Sequence, residues 1–212
     1  MDGLLIDTER KAWYVGKMEI AKEYGANLTP QLSIEFTGSN HQLLESQLKE
    51  HFGQDFPAQE FMDKLEKYYE NYCLNKEITL RPGVIEFLDF LKQNNILIAL
   101  GTSTRSNLAQ IAIQKAGIDN YFDYKVYGNQ VKHGKPDPET YLKSVEHFGL
   151  KPEECIVFED SSVGAQAAYN GNINLIMVPD VKQPNDLDRK KALAIIDSLQ
   201  DAIPIIKKLN NI

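Results

Sequence analysis

The amino-acid sequence predicts an α/β protein with a Rossmann-like, doubly wound parallel sheet, and three observations lead to that fold class. After Arg81-Pro82-Gly83, short apolar runs alternate with amphipathic helical segments, as strands and helices do in β-α-β units. Glycines stand where three of those helices should end, and these are Gly117, Gly149 and Gly171. Polar clusters follow several of the apolar runs, as is typical of the carboxyl ends of parallel strands.

The apolar runs predict five strands, and the segments between them predict four helices. The predicted strands span residues 96–100, 124–127, 156–158, 175–178 and 193–196. The predicted helices span residues 83–94, 106–116, 138–148 and 162–170. Asp137-Pro138 supplies the third of these helices with a cap and a first residue. Pro204 lies inside the last apolar helical stretch, so we expect that helix to start late or to kink.

Residues 8–79 lack a convincing strand pattern, which predicts an all-helical region. Apolar residues at helical spacing predict helices over residues 8–24, with Thr8 as the cap, and over residues 39–52 and 58–74. The third helix carries a tyrosine cluster that consists of Tyr68, Tyr69 and Tyr72. We interpret this cluster as packing against neighbouring helices rather than as an aromatic binding face.

Composition and charge exclude several classes of partner. The chain has 212 residues, of which 42% are hydrophobic, and its net charge of −7 argues against nucleic-acid binding. No apolar run approaches the roughly 18 residues of a membrane span, and no signal-peptide pattern is present. Cys73 and Cys155 are isolated, which indicates buried thiols in a reducing compartment. We therefore expect a cytoplasmic protein that is a monomer or a weak homodimer, without membrane or nucleic-acid partners.

Four polar clusters fall at a predicted strand end, or at a place where one is expected. They are Asp2-Gly3, Gly101-Thr102-Ser103-Thr104, residues 133–138 and Glu159-Asp160-Ser161-Ser162. In a parallel sheet all four would converge on one edge. Each cluster alone has an ordinary interpretation, since hydroxyl residues after a strand often cap helices and a Lys-Pro pair often forms a solvated turn. The order and spacing of the four together are far more specific.

The side chains in these clusters suit phosphoryl transfer. Thr102 and Ser103 offer hydroxyl and backbone N–H groups at the start of a helix, which can cradle a phosphate. Lys135 supplies a compact positive charge, and the hard oxygens of Glu159-Asp160 suit Mg²⁺. Asp2 can exchange a proton with a leaving oxygen. Together these groups would position a phosphate and neutralise its charge.

On these motifs the chain resembles the haloacid dehalogenase-like hydrolase superfamily, in the branch of β-phosphoglucomutase and pseudouridine-5′-phosphatase. Asp2-Gly3 matches the second half of the family's Asp-x-Asp-Gly motif, and residues 4–9 match the flap that follows it. Thr102, Lys135 and Glu159-Asp160 match the second, third and fourth motifs. The resemblance implies that residues 9–80 are an inserted helical cap. It also implies that residues 1–8 and 81–212 are the α/β hydrolase core.

The resemblance also implies roles for the matched residues. Asp2 is implied as the general acid/base, and its backbone carbonyl as a ligand of Mg²⁺ beside Glu159 and Asp160. Thr102 and Lys135 are implied as catalytic groups that bind the phosphoryl oxygens, and Ser103 is predicted to bind phosphate with them. The cofactor is then Mg²⁺, and the substrate is a small phosphorylated metabolite.

The family's nucleophilic aspartate belongs two positions before Asp2, with Met1 at the intervening position. We expect that the natural polypeptide starts upstream, with an apolar strand that ends in this aspartate. The alternative is a protein without covalent catalysis.

Three functions follow from these interpretations. The first is a Mg²⁺-dependent phosphatase of sugar phosphates or nucleoside monophosphates that acts through an aspartyl-phosphate. The second is a phosphomutase, although Ala12 stands where the β-phosphoglucomutase subgroup has a cap histidine and His41 lies in a turn where mutases have an arginine. The third is a non-catalytic binder of phosphate ligands.

Overall fold

The computed structural model describes residues 1–39 and 41–210, and the helical region comes first along the chain. It opens with a π-helical turn, Glu9–Tyr14, that continues directly into the first α-helix. Its four α-helices are α1 (Val15–Glu23), α2 (Pro30–Glu35), α3 (His41–Phe52) and α4 (Ala58–Asn75). The three helices predicted over this region are confirmed, apart from Asn40, which lies outside the described residues.

Two details of the helical region differ from the sequence-based expectation. Helix α2 was not predicted, and its start is fixed by Thr29, whose hydroxyl accepts a hydrogen bond from the Leu32 N–H at 3.2 Å. Thr8 was predicted as the cap of the first helix, but its backbone is already helical and its side chain makes no capping hydrogen bond. The Thr8 hydroxyl donates to Asp2 instead.

Helices α1 and α4 pack closely because a glycine faces the contact. A Cβ on Gly16 would lie 2.8 Å from the Tyr68 ring and 2.9 Å from Leu65, so the position requires the smallest residue. Buried side chains of this region form an apolar cluster of their own, to which α4 contributes Phe61 and Leu65. Removing such side chains from water contributes about 1.5–3 kcal/mol each.

The second region contains five short parallel strands in the described residues. They are β1 (Ala99–Gly101), β2 (Tyr124–Val126), β3 (Ile156–Glu159), β4 (Asn174–Met177) and β5 (Ala194–Ile195). Four of them agree with the predicted runs to within one residue at each end, whereas β1 begins three residues later than predicted. All of their pairings are parallel.

The prediction of one continuous sheet is only partly correct. Strands β1 and β2 form one sheet, and β3, β4 and β5 form another. Within the described residues, no further strand fills the space between β1 of the first sheet and β3 of the second. The facing edges of the two sheets are therefore not paired. The two sheets still share an apolar core, in which the Phe87 and Phe158 ring centroids lie 4.8 Å apart and to which Leu100 of β1 also belongs.

Six helices alternate with these strands or follow them. They are α5 (Val84–Gln93), α6 (Ser106–Lys115), α7 (Glu139–Phe148), α8 (Ser162–Asn170), α9 (Asp186–Lys191) and α10 (Ile203–Asn210). Gly149 ends α7 in the left-handed conformation, with φ at 64°, as its position predicts. Helix α10 starts late, with Pro204 in its first turn. Helix α9 was not predicted. None of the helices described is long and apolar enough to cross a membrane.

Candidate active site

A cavity of about 410 Å³ lies between the helical region and the carboxyl ends of β1 and β3. Side chains of the helical region line one side of it, and they include Glu9, Trp13 and Lys17. The other side is lined by residues that follow the strands. All six site residues predicted from the sequence reach this cavity, and these are Asp2, Thr102, Ser103, Lys135, Glu159 and Asp160. The structure therefore brings together four clusters that lie far apart in the sequence.

Lys135 and Glu159 form a buried ion pair at the centre of the strand side. Lys135 is 6% exposed, and its Nζ donates to Glu159 Oε1 at 2.6 Å and to the Gly101 carbonyl at 3.4 Å. The Tyr141 hydroxyl donates to the same Glu159 oxygen at 2.7 Å. Because Gly101 ends β1 and Glu159 ends β3, Lys135 links the two sheets at their carboxyl ends.

The second carboxylate oxygen of Glu159 is also held by the protein. Oε2 accepts from the Asp160 N–H at 3.0 Å, from the Ser161 N–H at 3.1 Å and from the Ser161 hydroxyl at 3.0 Å. Burial opposes ionisation of Glu159. The charges of Lys135 and of the Met1 amino group, together with hydrogen bonds from Lys135 and Tyr141, outweigh burial and lower its pKa to about 2. Helix α8 approaches so closely that a Cβ on Gly164 would lie 2.1 Å from the Glu159 carboxyl group.

Asp160 lies against the backbone of the Asp2-Gly3 turn. A Cβ on Gly3 would lie 2.3 Å from Asp160 Oδ2, and Gly3 has a φ of 76°, which favours glycine. Burial, and then the charge of Glu159, raise the pKa of Asp160 well above its ordinary range. A bound cation would relieve this unfavourable environment.

The metal-ligand set predicted from the sequence combines two carboxylates with a backbone carbonyl, and it stays a prediction. Among the described residues, no group of three or more His, Cys, Asp or Glu side chains is arranged to hold a metal ion. Both carboxylate oxygens of Glu159 accept hydrogen bonds from protein donors, which distinguishes the bonding of Glu159 from that of Asp160. Mg²⁺ is usually held by only one or two carboxylates together with waters and substrate phosphate oxygens. Asp160, which lies against the Asp2-Gly3 backbone, therefore fits Mg²⁺ as a carboxylate ligand, and Glu159 as a further ligand stays a prediction.

Thr102 and Ser103 are placed differently from the helix-start cradle predicted for them. Helix α6 begins at Ser106, and the Thr102 N–H donates to the Val126 carbonyl at 3.0 Å, which extends the pairing of β1 with β2. The Thr102 N–H is therefore engaged within the fold. The Thr102 hydroxyl accepts from the Thr104 N–H at 3.1 Å and can still donate its hydrogen to a phosphate oxygen.

The Asp2 carboxylate receives hydrogen bonds from three hydroxyl groups. Oδ1 accepts from Thr8 and from Tyr69, the latter at 2.7 Å, and Oδ2 accepts from Thr104 at 2.8 Å. Sequence reasoning did not assign Thr104 or Tyr69 to Asp2. The Tyr69 ring does pack as predicted, since it stacks on Trp13 with ring centroids 4.3 Å apart. The helical pattern gave no signal of where its hydroxyl would point.

A second buried ion pair lines the helical side of the cavity. Lys17 Nζ lies 3.7 Å from Glu9 Oε1 and donates to the Ser33 carbonyl at 3.1 Å and to the Thr37 hydroxyl at 3.3 Å. Burial raises the pKa of Glu9, and burial lowers the pKa of Lys17. Neither residue was singled out as a cavity residue from the sequence, because a charged pair on different helical turns has no motif.

Asp180, in the loop after β4, holds both segments that connect the helical region to the rest of the chain. Its Oδ1 accepts from Arg10 at 2.5 Å and lies 3.1 Å from Arg81. The Asp180 side chain has no exposed surface, and its Oδ2 has no hydrogen-bond partner within the described residues. Sequence reasoning missed this contact, because its three members lie far apart in the chain.

Comparison with known proteins agrees with the site. A family model described as haloacid dehalogenase-like hydrolase matches residues 1–178. The chain is 35% identical over 182 residues to a phosphorylated carbohydrates phosphatase of Thermotoga maritima, with 83% of this chain and 81% of that protein covered. It is 29% identical over 191 residues to the fructose-1-phosphate phosphatase YqaB of Escherichia coli, with 84% and 93% covered.

Solved structures show the same fold. The crystal structure of CbbY from Rhodobacter sphaeroides in complex with phosphate superposes with a TM-score of 0.81 at 21% identity, over 95% of this chain and 93% of that one. β-Phosphoglucomutase from Clostridium difficile superposes with a TM-score of 0.80 at 25% identity, over 99% and 94%. The chain therefore belongs to the haloacid dehalogenase-like hydrolase family, in the branch that contains β-phosphoglucomutase, pseudouridine phosphatase and CbbY.

Proposed function

We propose that the protein is a Mg²⁺-dependent phosphatase of small phosphomonoesters, with sugar phosphates as the first substrate class and nucleoside monophosphates as the second. The observation that carries the proposal is the single cavity lined by Asp2, Thr102, Lys135 and Asp160, which come from four separate segments. These groups supply a proton carrier, a hydroxyl donor, a cation and a metal ligand. The names of the Thermotoga maritima and Escherichia coli relatives support sugar phosphates in particular.

In the proposed reaction, each group acts on a different part of the phosphoryl group. The family's aspartate, two positions before Asp2, attacks phosphorus to form an aspartyl-phosphate while Asp2 gives its proton to the leaving oxygen. Asp2 then takes a proton from the water that hydrolyses the intermediate. The Thr102 hydroxyl and Lys135 bind the transferring oxygens, with Ser103 as a further phosphate contact, and Lys135 remains fixed by Glu159. Mg²⁺, when bound at Asp160, supplies charge neutralisation.

Residues 9–80 act in this proposal as a helical cap over a core formed by residues 1–8 and 81–212. Trp13, Lys17 and Phe36 line the cavity from the cap side, so they would shield the reacting phosphate from bulk water. The cap would also select the substrate, because it faces the part of the molecule that is not the phosphate.

The experiment is a measurement of phosphate release by the natural full-length polypeptide from a panel of sugar phosphates and nucleoside monophosphates. We expect turnover with Mg²⁺ that is lost with EDTA and restored by added Mg²⁺. Asp160→Asn should raise the Mg²⁺ concentration needed for half-maximal rate. A folded protein without turnover on any panel member would reject the phosphatase. Sub-millimolar binding of a phosphomonoester in calorimetry, without hydrolysis, would then favour the non-catalytic binder.

A phosphomutase remains the alternative within the same family. Ala12, which stands where the mutase subgroup has a histidine, is completely buried in the apolar core and offers no group for proton transfer. That observation favours the phosphatase. Interconversion of glucose 1-phosphate and glucose 6-phosphate without net phosphate release would reverse this preference.

A further inference from the structure

The two carboxylate oxygens of Asp2 have different surroundings. Oδ1 accepts hydrogen bonds from both Thr8 and Tyr69, whereas Oδ2 accepts one from Thr104. A carboxylate oxygen has two lone pairs, so the acceptor sites of Oδ1 are filled while Oδ2 retains one. Asp2 itself lines the cavity. The oxygen with remaining capacity is therefore the one suited to meet a substrate.

Tyr69 is the most rigidly placed of the three donors. Its side chain has no exposed surface, and its ring stacks on Trp13 at an interplanar angle of 20°. A threonine hydroxyl hydrogen rotates to suit its partner, but the phenol oxygen of Tyr69 is fixed by the packing of the whole ring. The buried phenol donates to Asp2 Oδ1 at 2.7 Å, so this donor is fixed in position relative to the carboxylate.

We propose that Tyr69 is a positioning residue that anchors Oδ1 of Asp2 and leaves Oδ2 to exchange the proton with the leaving oxygen. This inference rests on the proposed phosphatase. As the P–O bond to the leaving group breaks, the proton on Oδ2 moves to the leaving oxygen and Asp2 becomes a carboxylate. When water attacks the phosphoryl-enzyme, one of its protons returns to Oδ2. Tyr69 keeps its own proton in both steps.

The same contact couples the helical region to the chemistry. Tyr69 lies on α4, 67 positions from Asp2, and reaches it only while α4 is packed against the core. The proton carrier is then held in its working orientation only when the cavity is assembled.

The test uses Tyr69→Phe, which keeps the ring that stacks on Trp13 and removes only the donor. The matched control is Tyr72→Phe on the same helix, since Tyr72 also packs at the edge of the core but interacts electrostatically with Lys11 and Asp7. Two substrates are compared: the best sugar phosphate of the panel, whose leaving oxygen needs a proton, and p-nitrophenyl phosphate, whose leaving group departs without one.

We expect Tyr69→Phe to lower kcat/KM for the sugar phosphate by about 10- to 100-fold, as the loss of one hydrogen bond to a charged group predicts. The ratio kcat/KM reports the first phosphoryl transfer and not the hydrolysis step that both substrates share. KM should stay within about twofold, because Tyr69 does not contact the substrate. The loss on p-nitrophenyl phosphate should be at least about tenfold smaller. Tyr72→Phe should leave the ratio of the two rates unchanged.

An equal loss of kcat/KM on both substrates, a change confined to KM, or no change in kcat/KM would overturn the positioning role. A natural protein that hydrolyses neither substrate would instead reject the proposed phosphatase. In that case a double-mutant cycle decides whether the contact itself exists. The cycle compares the free energies of unfolding in urea of Tyr69→Phe, Asp2→Ala and the double variant. Additive effects in that cycle would overturn the contact on which the inference depends.

Discussion

The two sides of the cavity contain similar chemistry but are built in different ways. On the strand side, Glu159 ends β3 and Lys135 lies in the loop between β2 and α7, and both belong to short recognisable motifs. On the helical side, Glu9 and Lys17 line the cavity from separate helical turns, and Tyr69 contacts Asp2 from α4 without lining the cavity itself. These three residues share no motif. Parallel topology is enough to gather the first group, whereas the second depends on how α1 and α4 pack.

The two buried ion pairs also differ in electrostatics. The Lys135–Glu159 pair is separated by 2.6 Å, and the pKa of Glu159 is lowered to about 2 because the charges of Lys135 and the Met1 amino group and the hydrogen bonds outweigh burial. The Glu9–Lys17 pair is separated by 3.7 Å, and burial raises the pKa of Glu9. The strand-side carboxylate is therefore firmly ionised, while the helical-side carboxylate can be neutralised more easily.

The largest expected effect is the loss of the strand-side cation. Lys135→Met leaves the Glu159 charge buried without its ionic partner, and breaking such a pair costs about 3–5 kcal/mol in the free energy of unfolding. It also removes the link between the Gly101 carbonyl and Glu159 that joins the two sheets. Urea unfolding followed by circular dichroism measures this loss.

The matched control is Lys143→Met, which breaks a partly exposed ion pair with Glu139 on α7. Such surface pairs contribute about 0–1 kcal/mol, so this variant should remain close to the wild-type protein. Similar unfolding midpoints for the two variants would show that Lys135 does not support the fold in this way.

The second prediction concerns the helical-side pair. Lys17→Met leaves Glu9 buried without a cation, and we expect a smaller destabilisation of about 1–3 kcal/mol, because Glu9 can take up a proton. The double variant Lys17→Met/Glu9→Gln should recover part of the loss, since it removes the uncompensated charge. Urea unfolding at pH 7 compares the two variants. A double variant less stable than Lys17→Met would contradict this interpretation.

The pH dependence of the Lys17→Met variant has a definite sign. A carboxyl group whose pKa is raised in the folded state stabilises that state below its unfolded pKa and loses this contribution as pH rises through the folded value. The difference in stability between wild type and Lys17→Met should therefore shrink as pH falls from neutral towards the ordinary range of a glutamate. A difference that stays constant on acidification would show that Glu9 is ionised throughout this range and would contradict the interpretation.

Much of the strand side could be predicted from the sequence, and little of the helical side. The alternating apolar runs predicted the strands, and the polar clusters after those runs predicted Lys135, Glu159 and Asp160 as site residues. This works because the carboxyl ends of parallel strands lie at one edge of the sheet whatever the details of packing. The split into two sheets could not be read from those runs, since each strand satisfies its own pattern whether or not a neighbour is present. Tyr69 shows the corresponding limit for helices: periodicity identified its packing role but not its hydrogen bond to Asp2.

The third prediction tests how the two sides are held together. Asp180→Asn keeps the side-chain shape but removes the charge that both Arg10 and Arg81 meet. We expect a loss of about 1–2 kcal/mol, reduced by the solvent that reaches Arg10. Amide hydrogen exchange should rise in the two connecting segments, near residues 7–10 and 79–81, more than in β3 and β4. Uniform acceleration across the protein would mean that Asp180 supports global stability only.

The smallest expected effect is a change in the rate at which iodoacetamide alkylates Cys73, a rate that reports motion of the helical side. Cys73 is completely buried on α4, and burial raises its pKa to about 11, so little reactive thiolate forms near pH 8. Cys155 is partly exposed, and although burial also raises its pKa, iodoacetamide should alkylate it first. Mass spectrometry then follows Cys73 alone.

Because Cys73 lies in the same apolar cluster as Tyr69, its slow alkylation requires α4 to separate from the core. Asp180→Asn should accelerate alkylation of Cys73 while leaving the rate at Cys155 unchanged, if the helical side opens independently of the strand side. Acceleration at both cysteines in the same proportion would mean that the two sides unfold as one unit. The strand side and the helical side would then differ in how well the sequence predicts them but not in local stability.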